Sequence, residues 1–245
     1  MPVISIKSEI IFNLFGFPVT NSILTSWIVV LFLIATVYLL SRKIKSVPGK
    51  AQSIAELAIE KLLDFLETIA GDRKTAVRYF PIVATIFFFV LISNWFGILP
   101  GVGSIGVWHE TEKGLELVPI FRSVNSDLNM TLALAFIVIT ITHVIGLSVI
   151  GFKHHVGKFI SFKGPIAFFV GILELVSEFA KILSFSFRLF GNVFAGEVLL
   201  AIMSFLVPYI VPTPFLALEI FVGFIQALIF ATLSMMFFAS ATRNH

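Results

Sequence analysis

The sequence predicts an all-α polytopic membrane protein, on three observations. Hydrophobic residues make up 58% of the 245 residues, charged residues only 13%, and the mean hydropathy is +1.04. Because soluble domains carry about 25% charged residues, this chain lacks the polar side chains that a water-exposed surface needs, and its natural solvent is a bilayer. It also contains five apolar stretches of about 20 residues or more, which is the length that a helix needs to cross the hydrocarbon layer.

Composition also excludes several classes of function. The net charge of +3 is too small to indicate a nucleic-acid partner. The chain has no cysteine, so it offers neither a disulfide nor a thiolate metal site. We predict no metal site and no organic cofactor.

The five apolar stretches set the order of the predicted elements. Residues 1–21 lack the basic start, compact apolar core and small-residue cleavage site of a signal peptide, so we expect the first span to be retained. Residues 100–127 contain glycine, proline and short apolar runs, which predict a hairpin-like excursion between the second and third spans. The predicted spans cover residues 20–41, 79–99, 128–150, 165–207 and 214–241.

Residues 48–71 alternate charged and apolar residues, and this pattern predicts an amphipathic helix that lies on a surface. Its acidic side chains form one helical stripe, which is either solvated or a docking face for a partner. The acidic stripe consists of Glu56, Glu60, Asp64 and Glu67. The apolar stripe predicted on the opposite side consists of Ile54, Ala58, Leu62, Phe65 and Ile69.

The distribution of basic residues predicts the orientation in the membrane. Lysine and arginine concentrate between spans one and two and between spans three and four, and the positive-inside rule places those segments in the cytoplasm. The N-terminus and the 100–127 loop are then external, and Arg243 favours a cytoplasmic C-terminus. The basic residues in the two predicted cytoplasmic segments are Arg42, Lys43, Lys45, Lys50, Lys61, Arg73, Lys74, Arg78, Lys153, Lys158 and Lys163, and those in the external segments are Lys7, Lys113 and Arg122.

The stretch 165–207 is too long for one upright span. It has no interior proline, and as a continuous helix it would be roughly 65 Å long, whereas the hydrocarbon is about 30 Å thick. Either the chain turns back near Gly191, which would place Arg188 at an aqueous surface, or a single helix lies steeply tilted. The apolar residues around Arg188 are not typical of a loop.

Polar residues recur on one face of this stretch if it is helical. Glu178 and Lys181 are three residues apart and are expected to pair. Arg188 has no acidic residue within four positions on either side, so its counter-charge must come from elsewhere, unless it is a structural residue paired within the helix bundle. The residues of this polar face are Glu174, Glu178, Lys181, Phe185, Arg188 and Asn192, with Ser184 beside them.

Further polar residues lie in the other apolar stretches. Glu197 falls on the side of its helix opposite Arg188, whereas Glu219 and Gln226 share a face of the last stretch. Carboxyl, amide and hydroxyl groups in such a series allow a proton to move by hops through protein. His143 is isolated in the third stretch. Asp127, directly before that stretch, is first interpreted as a residue that caps the N-terminus of a helix.

The segment RLFGNVFAGE, residues 188–197, resembles the a subunit of F-type ATP synthases. The family signature is this arginine followed by Leu-Phe-Gly-Asn and, nine residues on, an acidic or polar position. Four other segments agree with the same family, and together they extend the resemblance over nearly the whole chain. They are NWFGILPG, SDLNMTLALA, LELVSEFAKILSFSFRLFGN and FIQALIFATLSMMF.

The resemblance implies an architecture and a set of partners. It implies an N-terminal span, a surface helix, a membrane hairpin, and two long steeply tilted helices, 165–207 and 214–241, which face a ring of c subunits. The partners implied are that ring, the b subunits of the peripheral stalk, the lipid bilayer and, indirectly, the soluble catalytic head. The chain itself would be a non-catalytic subunit in a bacterial-type cell membrane.

The resemblance also implies roles for individual residues. Arg188 would face the essential carboxylate of each passing c subunit, between two offset half-channels. The residues that match the external half-channel are Asn192, Glu197, Glu219 and Gln226, and those that match the cytoplasmic side are Glu174, Glu178 and Ser184. Some relatives pair an acid with a histidine where this chain has Glu197 and Glu219, an acidic pair that suits a shared proton or a sodium ion. Roles for Asp127, His143 and Lys181 stay open.

Two other functions compete with this interpretation. A secondary transporter would use Arg188 to bind an anionic substrate, but such transporters commonly show internal repeats and broken helices, and this sequence shows no repeat. A structural anchor that docks through its amphipathic helix would leave the intramembrane charges unexplained.

Overall fold

The computed structural model confirms an all-α polytopic membrane protein. It describes residues 8–14, 16–42, 44–99, 102, 105–111, 114–152, 157, 159, 164–207 and 210–242. Five of the helices in this part of the chain, all except α2, are long and apolar enough to cross a membrane. The helices are α1 (Asn21–Ser41), α2 (Lys50–Ala70), α3 (Arg73–Ile98), α4 (Leu128–Ile150), α5 (Pro165–Leu206) and α6 (Pro212–Thr242).

Several basic residues used to predict the orientation lie outside the described residues. They are Lys7, Lys43, Lys113, Lys153, Lys158, Lys163 and Arg243.

Helix α5 runs without interruption for 42 residues, so the chain does not turn back near Gly191. At 1.5 Å per residue the helix is about 63 Å long, twice the thickness of the hydrocarbon layer. Most of its surface is not covered by the rest of the chain, and large apolar side chains are exposed along it. Those that flank the polar face include Ile172, Leu173, Val176, Phe179, Leu183 and Phe187.

The core is formed where α3, α4, α5 and α6 pack together. Val83 of α3, Val138 of α4 and Met235 of α6 are fully buried there. Phe185 of α5 stacks on Phe230 of α6 with ring centroids 3.8 Å apart. This stacked pair fixes the antiparallel register of the two long helices, and therefore the level at which each polar side chain lies.

Helix α2 packs on the bundle through the second half of its length. The side chains that it buries are those of Leu62, Leu66 and Ala70, whereas Ile54, Ala58 and Phe65 of the predicted apolar stripe are exposed. Only the second half of α2 contacts the helix bundle, and its contact surface is set by α3 and α6, not by hydrophobicity alone. The C-terminal members of the predicted apolar stripe, Leu62 and Ile69, therefore pack on the bundle, and the place of the exposed members stays a prediction.

The acidic stripe and the junction after α2 form a small ion-pair cluster. Arg73 Nη1 lies 2.8 Å from Asp64 Oδ1 and 2.7 Å from Glu67 Oε2, with all three side chains exposed. Helix α3 starts at Arg73, earlier than the predicted residue 79, because the Asp72 carboxylate accepts a hydrogen bond from the Thr75 N–H at 2.8 Å.

Two β-hairpins accompany the helices. Strands β3 (Gly106–Thr111) and β4 (Gly114–Pro119) pair in antiparallel orientation, in agreement with the hairpin-like excursion predicted for residues 100–127. Strands β1 (Ile10–Leu14) and β2 (Phe17–Thr20) form a hairpin that the sequence analysis did not predict. A 3₁₀ turn, Val124–Ser126, then leads into α4.

Gly71 closes α2 in the left-handed conformation, with φ of 87° and its N–H donating to Glu67 O at 2.9 Å. A side chain at this φ costs about 1–2 kcal/mol. We expect Gly71→Ala to accelerate hydrogen exchange of the amides in the last turn of α2 by roughly five- to thirtyfold. Gly49→Ala is the matched control, because Gly49 has an ordinary φ of −79° and open space around it. Equal exchange rates in the two variants would contradict this account of the helix end.

Candidate functional site

Arg188 lies in a groove between α5 and α6. The groove has a volume of about 270 Å³ and is open to the surface of the chain. Arg188, Ser184 and Asn192 are all exposed, and their spacing of four residues places them on one stripe of α5. The residues that line the groove are Ser177, Ala180, Lys181, Ser184, Phe185, Arg188, Leu233 and Phe237.

The Arg188 guanidinium makes no hydrogen bond and no ion pair with any other residue that the structure describes. The other residues that line the groove have hydroxyl-bearing, apolar or basic side chains. Since arginine keeps its charge in any protein environment, a fixed positive charge stands on a mostly apolar helix face without a counter-charge from this part of the chain.

One acidic cluster lies on the N-terminal side of Arg188. Lys181 Nζ donates to Glu178 Oε1 at 2.7 Å, which confirms the predicted pair. His143 of α4, which is isolated in its own stretch, places Nε2 3.8 Å from Glu178 Oε2, and its ring meets the ring of Phe159 edge-on. Glu178 is thus held from two helices, whereas Glu174, one turn earlier, is exposed.

A second acidic cluster lies on the C-terminal side of Arg188. The Glu219 carboxyl group of α6 packs directly on the backbone of Gly196, at a point where a side chain on Gly196 would overlap it. The neighbouring Glu197 points toward the 3₁₀ turn, where its Oε1 lies 3.8 Å from Nε of Arg122. Two carboxyl groups from different helices therefore approach this end of the bundle.

Arg122 is the site residue that the sequence analysis missed, since it was considered only as an external basic residue. It is buried, with 7% of its surface exposed. Its Nε donates to Ser126 Oγ at 3.0 Å, and its backbone N–H donates to Thr25 Oγ1 of α1 at 3.3 Å. The available signal was its position in FRSVNSD, directly before the third span.

Asp127 caps helix α4, as predicted. Its Oδ1 accepts a hydrogen bond from the Asn129 N–H at 2.9 Å, and its Oδ2 accepts one from the Ser8 hydroxyl. These contacts join the segment before β1 to the start of α4. A structural role therefore accounts for Asp127.

A buried amide pair was also missed. Asn94 of α3 donates from Nδ2 to Gly223 O of α6 at 3.0 Å, and its Oδ1 accepts from Asn125 Nδ2 at 2.7 Å. The predicted site residue Gln226 is buried on α6, on the same face as Gly223. The sequence segment NWFGILPG contains Asn94, but nothing local to it indicates which helix the amide meets.

The arrangement places the fixed cation between two separate acidic regions. Along α5, Glu178 and Glu197 stand about 15 Å and 14 Å from Arg188, on opposite sides, given the helical rise. Among the described residues, no three histidine or acidic side chains meet as a metal site. A multi-pass helical protein with this distribution of intramembrane charge belongs to the class that moves ions across membranes.

Comparison with known proteins identifies the family. The family model described as ATP synthase A chain matches residues 23–239, and the chain belongs to that family. It is 36% identical over 224 residues to ATP synthase subunit a of Syntrophobacter fumaroxidans, covering 89% of this chain and 83% of that protein. It is 30% identical over 235 residues to the subunit of Moorella thermoacetica, covering 96% of each. It is also 34% identical over 228 residues to that of Gloeobacter violaceus, covering 92% of this chain and 85% of that protein.

The contacts of Arg122 predict a stability difference between two arginine substitutions. Arg122→Met removes a buried guanidinium that joins Ser126 of the 3₁₀ turn to Glu197 of α5, and should lower the free energy of unfolding by about 2–4 kcal/mol. Arg73→Met, the matched control, removes two exposed ion pairs, with Asp64 and Glu67, and should have a much smaller effect because water screens exposed charges. Thermal unfolding in detergent micelles measures both. A smaller effect for Arg122→Met than for Arg73→Met would contradict the assignment.

Proposed function

We propose that this member of the ATP synthase A chain family is the ion-translocating stator subunit of a rotary F-type ATP synthase. In this proposal it provides two offset half-channels, and Arg188 carries protons to and from carboxylates on a ring of c subunits. The observation that supports this most directly is the exposed Arg188 guanidinium, which has no partner among the described residues on a helix face that the chain leaves uncovered.

The electrostatics explain why a moving carboxylate would suit this position. A carboxylate 4 Å from a guanidinium gains about 4 kcal/mol at an effective dielectric constant of 20. A c-subunit carboxyl group that arrives protonated is therefore drawn to ionise beside Arg188. After it passes, apolar surroundings favour its protonated form, and it takes up a proton before it re-enters lipid.

The two acidic regions would serve as the two half-channels. On the external side we assign Glu197, Glu219, Gln226 and Asn192 to the path. On the cytoplasmic side we assign Glu174, Glu178 and Ser184, because the groove beside Ser184 leads from this region to Arg188. His143 and Lys181 would hold the Glu178 carboxylate in place.

The same arginine would keep the half-channels from short-circuiting. A fixed cation between them repels a proton that would otherwise pass directly from one acidic region to the other. Protons must then travel with the ring, and a membrane potential does about 2.3 kcal/mol of work per charge for each 100 mV. This biases rotation, which the catalytic head uses to make ATP.

The remaining surfaces would serve assembly. The exposed apolar side chains of α5 would meet the c ring, with α5 and α6 steeply tilted in the bilayer. The b subunits of the peripheral stalk would hold the chain against rotation, with the N-terminus outside and the C-terminus in the cytoplasm. The chain would have no catalytic activity alone, and the translocated ion would be the proton.

Removing the Arg188 charge should uncouple the motor. We expect Arg188→Ala to reduce ATP-driven proton pumping to background in reconstituted vesicles, with the ring still assembled and a passive proton leak now present. Arg73→Ala, which removes an exposed arginine that does not line the groove, should pump normally. Retained pumping in Arg188→Ala would refute the mechanism.

The two external carboxyl groups should share their task. We expect Glu219→Gln to slow proton uptake only partly, because Glu197 lies at the same end of the bundle and can still accept protons. The double variant with Glu197→Gln should lose most of the flux measured with a pH-sensitive dye. Unchanged flux in the double variant would exclude both residues from the path.

A further inference from the structure

The hairpin of β1 and β2 lies directly before the first span and takes no part in the proposed ion path. Strand β2 ends at Thr20, and α1 begins at the next residue, Asn21. No charged residue occurs between Glu9 and Arg42, so the hairpin and α1 form one uncharged stretch. A hairpin that stands in water normally turns one polar or charged face to the solvent. This hairpin has no more charge than the membrane-spanning helix that follows it.

The strand register places four apolar side chains on one face of the hairpin. Phe12 lies opposite Val19, and Leu14 lies opposite Phe17. Paired residues point to the same side of a sheet, and so do alternate residues along one strand. These four side chains therefore form the apolar face of the hairpin. The residues that point to the other face include Asn13 and Pro18, which also pair.

The described part of the chain covers only the base of the apolar face. Val19, which is next to α1, is 4% exposed, so this face is turned toward the helices at its base. Exposure rises toward the tip, to 41% for Phe12, 43% for Leu14 and 77% for Phe17. A side chain on Gly16, in the turn, would meet no atom within 4 Å. The hairpin thus projects from the described residues with its phenyl rings partly or largely uncovered.

Hydrogen bonds fix the base of the hairpin to the helix bundle. The Ser8 hydroxyl donates to the Asp127 carboxylate at the start of α4. The Asn21 N–H donates to Glu9 O at 3.1 Å, and the Asn21 side chain donates from Nδ2 to Pro119 O of β4 at 3.4 Å. These contacts hold the hairpin at the N-terminal end of α1, so its projecting tip has a defined level.

The length of α1 sets that level relative to a bilayer. With 21 residues the helix is about 31 Å long, and the hydrocarbon layer is about 30 Å thick. Its exposed apolar side chains, among them Leu31, Ile34 and Val37, face lipid when α1 spans the membrane. The hairpin then lies where hydrocarbon meets headgroups. It cannot lie deeper, because each strand has an unpaired edge whose backbone N–H and C=O groups need water.

We propose that the β1–β2 hairpin is an interfacial anchor whose apolar face, with Phe17 near the tip, rests on lipid at the N-terminal end of α1. In the proposed orientation this is the outer leaflet. Lipid suits the hairpin better than a protein strand does, because the uncovered apolar area is on its face, whereas an added strand would pair along an edge. Acyl chains contact the phenyl rings, while water among the headgroups binds the unpaired edges. The anchor does not depend on the proposed ion path.

A fluorescent label at the tip tests this proposal, since the chain has no cysteine of its own and one introduced cysteine marks a single position. The complex is reconstituted in phosphatidylcholine vesicles, with this chain carrying its only cysteine. We expect an NBD label on Phe17→Cys to emit at a shorter wavelength than in water. It should lose most of its emission to lipids that carry a nitroxide just beneath the headgroup, and should resist quenching by iodide in the water. Leu14→Cys, on the same face, should give the same result, which keeps the test decisive if one variant fails to assemble.

Asn13→Cys is the matched control, because Asn13 is exposed on the opposite face of the same strand. Its label should be quenched by iodide and not by the nitroxide lipid. Two results for the label on Phe17→Cys would overturn the inference. Quenching by iodide alone would show that the tip lies in water, and protection from both quenchers would show that another subunit covers it.

A charge on the apolar face should detach the hairpin from lipid. We expect Phe17→Asp to abolish the nitroxide quenching of a label on Leu14→Cys, because a carboxylate keeps its hydration and does not enter an apolar layer. Asn13→Asp, which places the same charge on the other face, should leave that quenching unchanged. Equal quenching in the two variants would contradict the anchor. Such a failure would leave the proposed function standing, because its test is the loss of pumping in Arg188→Ala.

Discussion

The structure depends on one electrostatic constraint, a permanent positive charge on a helix face that the chain does not cover. Arg188 stays ionised in any surroundings, and no described residue supplies its counter-charge. Such a group is tolerated in a membrane protein only where it meets water or an external partner. The long uninterrupted α5, its exposed apolar flanks and the adjoining groove are all consistent with a face that another subunit completes.

The packing of the helices fixes what lies on each side of this charge along α5. Phe185 stacked on Phe230, and Glu219 seated on Gly196, fix α5 against α6 in antiparallel register. That register places one acidic cluster on each side of the arginine. Each cluster also contains a basic side chain, Lys181 of α5 on one side and Arg122 on the other, and His143 of α4 lies beside the first.

Hydropathy and helical periodicity predicted what depends on local sequence. The apolar spans and the Glu178–Lys181 pair follow from fixed spacing within a helix, and Asp127 follows from capping chemistry. Such patterns could not predict the contacts between elements. His143 with Glu178 and Arg122 with Glu197 depend on the register of packed helices, which no short segment encodes. The side chains that α2 buries, those of Leu62, Leu66 and Ala70, likewise depend on its neighbours α3 and α6.

The central claim concerns where the counter-charge of Arg188 lies, and a structure of the complete complex in lipid, at a resolution that shows side chains, tests it most directly. The account predicts that the guanidinium faces a c-subunit carboxyl group across the uncovered side of α5, with water-filled openings ending above and below it. A guanidinium paired with an acidic residue of its own chain, with no ring subunit beside it, would contradict the account.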